Sequence, residues 1–150
     1  MAAELRGCGV DLSFAPVLDI DHGASSIIGD RAFHTDPAAV VELASSLLDG
    51  MEAAGMVGVG KHFPGHGDTT TDSHHALPRV DATVEVLRER ELAPFRSAVD
   101  AGVATVMTSH IVVPALDPHR PATFSRLVLG VLRDELGFTG VIVSDALDMA

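Results

Sequence analysis

Continuously apolar runs recur along this chain at roughly 40-residue intervals, and longer amphipathic stretches fill the spaces between them. The runs are "LSFAPVLDI" (12–20), "MVGVGKHF" (56–63), "VATVMTSHIVV" (103–113) and "GVIVSDAL" (140–147). Runs that are apolar throughout, rather than at alternate positions, belong to strands covered on both faces. Strand, helix, strand, helix at this spacing demands parallel strands joined by right-handed crossovers. The fold class is therefore α/β with a parallel sheet.

The intervening stretches read as helices. Asp36 is a good N-cap and Pro37 suits the first helical position. Val40, Leu43, Leu47 and Met51 follow at helical spacing, and Gly55 sits where a C-terminal cap belongs. "TVEVLRERELAPFRSAVDAG" predicts a second helix, interrupted or kinked near Pro94. Ser125 caps a third, "RLVLGVLRDEL", which stops at Gly137. Pro16 disturbs the middle of the first strand. No repeat, low-complexity tract or linker divides residues 1–150, which are expected to form one domain.

Composition removes several functions. A formal charge of -11, with ten scattered basic residues, disfavours nucleic acid and anionic membrane surfaces as partners. No run approaches the roughly 18 apolar residues of a membrane span. Cys8 stands alone, so no internal disulfide forms. "LRGC" (5–8) lacks the apolar segment that a lipoprotein signal needs, and no signal peptide is visible. The absence of Trp and Tyr removes the usual platform for stacking a sugar.

Each apolar run ends in polar or ionisable groups: Asp19 and Asp21, Lys61 and His62, Ser109 and His110, Ser144 and Asp145. In parallel α/β folds the loops leaving the carboxyl ends of strands build the active site. One such loop is crowded. "KHFPGHGDTTTDSHHALP" (61–78) carries His62, His66, His74 and His75 with Asp68 and Asp72, and shows no packing period. Asp72 stands two residues before His74, near enough for a turn to join them. An aspartate accepting from one imidazole nitrogen fixes the tautomer and raises the basicity of the ring. Three bland readings compete: solvated loop histidines such as His22 and His119, a helix N-cap at Asp145, and a zinc site of His62, His66, His74 and Asp72. The zinc spacing does not match a helical HExxH motif, and no metal or other cofactor is expected.

The same loop closely resembles the signature of the bacterial β-N-acetylglucosaminidases of glycoside hydrolase family 3, the NagZ type. "FAPVLDI", "IIGDRAFHTDP", "VMTSHIVVPALDP" and "PATFSRLVLGVLRDELGFTGVIVSDALDM" agree in order, so the resemblance spans essentially the whole chain. It implies a retaining glycosidase on a (β/α)8 TIM barrel. Asp145 matches the nucleophile, His74 the general acid/base and Asp72 its partner, while Arg31, Lys61 and His62 match residues that bind sugar hydroxyls. The implied substrate is a terminal β-linked N-acetylglucosaminide from peptidoglycan or chitin-like fragments. A phosphorolytic variant, an inactive truncated remnant and a metal-dependent hydrolase are the alternatives. A whole barrel takes about 250 residues, so this chain is expected to hold about the middle four βα units. The parent's true N-terminus is then expected to lie elsewhere, and localisation stays open, with the cytoplasm favoured over export.

Overall fold

The computed structural model describes residues 1–23, 27–69 and 77–148. Its elements run α1 (Ala2–Gly7), β1 (Leu12–Ser13), α2 (Pro37–Ala53), β2 (Val57–Phe63), α3 (Val84–Val86), α4 (Leu92–Asp100), β3 (Thr105–Thr108), α5 (Arg126–Gly130) and β4 (Val141–Ser144). The four strands form one sheet in the order β1-β2-β3-β4, and every pairing is parallel. This is the α/β arrangement expected from the spacing of the apolar runs, and all four carboxyl ends meet on one edge.

All four predicted strands are longer in sequence than in the sheet, the second by a single residue. The first pairs regularly only at Leu12 and Ser13, although Asp11, Ala15 and Pro16 all offer carbonyls to β2 amides. Pro16 has no N–H to return, so the ladder breaks around it and resumes as a single bridge at Val17 and Lys61. The third run leaves the sheet after Thr108. Val112 then bridges Arg79, and Val113 turns back on Asp117. The expectation that all strands are covered on both faces holds for β3, buried throughout, and fails for β4, where Val141 is 59% exposed. β4 is an edge.

The helices follow their local signals. The Asp36 carboxylate accepts from the Ala38 amide with Pro37 in the first turn, and Gly55 takes φ +69 just past the end of α2. The buried stripe of α2 is Val40, Ala44 and Met51, with Leu48 packed against the core, whereas Leu43 is exposed. The expected Leu43 and Leu47 thus yield to a stripe one position on.

The disturbance expected near Pro94 is a π-helical turn, Leu87–Glu91, between α3 and α4. A proline at 94 cannot bond to the carbonyl four residues earlier, at Arg90, and the wider turn absorbs the mismatch. Phe63 of β2 meets Phe95 of α4 edge to face at 5.2 Å, with Leu18, Leu87, Leu92, Val106 and Leu132 completing the centre of the core.

Ser125 is fully buried. Its hydroxyl donates to Asp117 Oδ2 at 2.8 Å and accepts from the Val128 amide at 3.2 Å. Ser125→Ala removes the cap of α5 and is expected to lower stability by about 1–2 kcal/mol, read as a shift of the urea midpoint at unchanged m.

Candidate active site

A buried carboxylate organises the rim. Asp19 lies near the end of the first apolar run and has no exposed surface. It accepts from His62 Nδ1 at 2.6 Å, from the His62 amide at 3.2 and 3.3 Å, and from the His66 amide at 2.7 Å. Burial alone would raise this carboxyl's pKa. The His62 hydrogen bond and charge, with the His66 amide, outweigh burial and hold it below the usual carboxylate range.

An ionised carboxylate only accepts, so His62 Nδ1 carries the proton. The ring's other nitrogen then points across the rim. His62 Nε2 lies 3.9 Å from Asp145 Oδ2, beyond a direct hydrogen bond. Asp145 is the first residue after β4, and its amide donates to the Thr108 carbonyl at 3.0 Å, extending the parallel ladder. Its Oδ1 accepts from the Ala146 amide at 2.8 Å, while Oδ2 faces the imidazole. The Ala146 carbonyl lies 3.0 Å from His110 Nε2, which links the Asp145 turn to the end of β3.

Lys61 is half-buried beside the same two carboxylates. Burial, and then the charge of Arg31, lower its pKa, against the opposing pull of Asp145 and Asp19. Arg31 closes a short 3₁₀ turn, Gly29–Arg31, and its exposed guanidinium donates to the Ile27 carbonyl at 2.6 Å. The rim therefore collects two cations, two carboxylates and an oriented imidazole, a set suited to gripping several hydroxyls.

His66 is buried with Nδ1 2.7 Å from Thr69 Oγ1, and the Thr69 hydroxyl donates to the His66 carbonyl. Burial lowers the pKa of His66 despite the nearby Asp19, so the ring is neutral at neutral pH. Gly67 presses on the end of the first strand: a Cβ there would stand 1.8 Å from the Ile20 carbonyl oxygen.

Of the predicted site residues, Lys61, His62 and Asp145 come together, and Arg31 lies within electrostatic reach of Lys61. Asp72 and His74 lie outside the described residues. Asp145 caps no described helix. Among the described residues no group of three or more His, Cys, Asp or Glu side chains is placed to hold a metal ion. The zinc reading also drew on Asp72 and His74. Two participants were missed as site residues: Asp19, noted only as one polar strand end, and His66, weighed only as a metal ligand. The signal for Asp19 was a carboxylate inside the apolar "PVLDI", where only a committed partner could satisfy it.

Residues 1–150 match the glycosyl hydrolase family 3 N terminal domain from end to end. The chain belongs to that family. A beta-hexosaminidase of Chromobacterium violaceum is 50% identical over 151 residues, covering 100% of this chain and 42% of the relative. The beta-N-acetylglucosaminidase of Paenibacillus sp. str. FPU-7 superposes with a TM-score of 0.96 at 46% identity, over 99% of this chain and 29% of that one. NagZ from Neisseria gonorrhoeae, solved with N-trifluoroacetyl-D-glucosamine, gives a TM-score of 0.94 at 48% identity, over 99% and 44%. The chain thus spans less than half the length of these relatives.

Family 3 membership agrees with the observed topology, since the family's N-terminal domain is of the TIM-barrel type and neighbouring strands in such a barrel follow chain order. Among the described residues no helix is long and apolar enough to cross a membrane.

The depressed Asp19 carboxyl sets a pH dependence. Its stabilisation is complete above about pH 4 and is lost as the pH falls through the depressed folded-state value. Asp19→Asn is expected to cost about 2–4 kcal/mol at neutral pH and to flatten the acid limb of the stability curve, measured by urea titration between about pH 2.5 and 7.

Proposed function

We propose that this chain supplies the catalytic centre of a retaining β-N-acetylglucosaminidase that removes terminal N-acetylglucosamine from peptidoglycan-derived or chitin-like fragments. The observation that carries the reading is the Asp145 carboxylate at a strand end, partly exposed and facing a histidine whose tautomer is fixed by a buried aspartate. The beta-hexosaminidase and beta-N-acetylglucosaminidase relatives support the substrate class.

Asp145 is the nucleophile. Its free Oδ2 attacks the anomeric carbon as the glycosidic bond breaks, forming a glycosyl ester. His74 donates a proton to the departing oxygen, and Asp72 stabilises the imidazolium before that transfer. His74 then takes a proton from water, which opens the ester at the same carbon, so two inversions give net retention. Lys61 and Arg31 donate to sugar hydroxyls. With Nδ1 committed to Asp19, His62 presents Nε2 to the sugar hydroxyls.

An imidazole in place of the second carboxylate repels an incoming anion less, so phosphate is a competent acceptor in the same scheme. Release of the sugar 1-phosphate in phosphate buffer, in place of free sugar, identifies that variant. A non-catalytic sugar-binding remnant is the second reading.

Asp145→Ala, in an active protein carrying this chain, is expected to lower kcat on p-nitrophenyl N-acetyl-β-glucosaminide by at least about a thousandfold. Azide should restore turnover and yield the glycosyl azide. Activity within about threefold of the parent would remove Asp145 from the chemistry. Absence of turnover on any β-glucosaminide by the parent would favour the remnant.

A further inference from the structure

Glu91 is a buried charge that the proposed chemistry does not use. It ends the π-helical turn Leu87–Glu91 and is 1% exposed. Its Oε1 accepts from Arg90 Nε at 2.6 Å and lies 2.9 Å from His22 Nε2. Its Oε2 is buried and has no hydrogen-bond partner among the described residues. A buried carboxylate with one oxygen unpaired is costly.

The partners of Glu91 explain the cost. His22 belongs to the segment leaving the first strand, three residues after Asp19. Arg90 also donates through Nη2 to Asp68 at 2.9 Å, and Asp68 belongs to the segment leaving β2. Gly65, also in the segment leaving β2, packs so close to the Glu91 side chain that it leaves no room for a side chain of its own. A Cβ at Gly65 would sit 2.9 Å from Glu91 Cβ and 3.1 Å from Oε2, and its φ of +122 suits only glycine. One residue on, the His66 amide donates to Asp19. Glu91 and Arg90 thus tie the segment that carries Asp19 and His22 to the segment that carries Gly65, His66 and Asp68.

We infer that the Arg90–Glu91 pair is a positioning device for catalysis. It locks the segment 65–69 against the end of the first strand, and so fixes the point from which the chain continues toward Asp72 and His74. The inference rests on the glycosidase reading and concerns protonation of the leaving group rather than attack by Asp145.

Leaving-group dependence separates this role from mere stability. A glycoside of 2,4-dinitrophenol departs without acid help, whereas a methyl glycoside needs it. In an active protein carrying this chain, Glu91→Gln should lower kcat/KM on the methyl N-acetyl-β-glucosaminide by at least about tenfold and on the dinitrophenyl one by less than about threefold. Asp68→Asn, which releases Arg90 at a partly exposed site, should show the same bias at smaller size, and it decides the matter if Glu91→Gln fails to fold. His74→Ala is the control and should show the bias most strongly. Equal losses on both glycosides, or no loss, in Glu91→Gln and Asp68→Asn while His74→Ala remains biased would overturn the positioning role alone. Absence of bias in His74→Ala would overturn the acid/base assignment, and the positioning role with it.

Discussion

The rim of this domain depends on one buried anion. Asp19 stands near the end of the first apolar run, beyond β1, with no solvent to hydrate it, so its charge must be met by protein donors. It draws them all from the end of β2 and the segment that follows: the His62 ring, the His62 amide and the His66 amide. The same bonds stitch the first strand to the second where Pro16 has weakened the backbone ladder. They also fix Nδ1 of His62 as a donor to Asp19 and turn Nε2 toward Asp145. Strand pairing and chemistry share one set of contacts.

The rest of the sheet sets the opposite wall. β3 and β4 pair in continuous register from Thr105 with Val141 to Thr108 with Ser144, and the Asp145 amide adds one more rung. The nucleophile candidate is therefore placed by backbone bonds, which hold position better than a loop does. His110 and the Ala146 backbone extend that placement past the strand end. The two walls differ in character, one held by a buried side-chain network and the other by the ladder itself.

Periodicity and capping made the α/β class, the three main helices and the shared strand-end edge legible, because those depend on local patterns. Asp36, Ser125 and Gly55 act where their chemistry predicts. Strand lengths were less legible, since "IVV" at 111–113 is apolar enough for a strand yet is buried by turning out of the sheet. Lys61, His62 and Asp145 end apolar runs, but so do Asp21, Ser109 and His110, and it was the family resemblance that singled the three out as site residues. Asp19 could not be ranked above Asp21 without knowing that His62 and His66 would converge on it from more than forty positions away. Non-local partners of this kind leave no mark on sequence spacing, and the same holds for Glu91, which reads as one more charge on an amphipathic helix.

The central claim is that Asp145 forms a covalent bond to the sugar. Incubating an active protein that contains this chain with a slow fluorinated N-acetyl-β-glucosaminide, followed by proteolysis and mass analysis, tests it directly. The account predicts the added sugar mass on the peptide containing Asp145, with retained configuration in the products. Label on a different side chain, or inverted product with no labelled peptide, would contradict it.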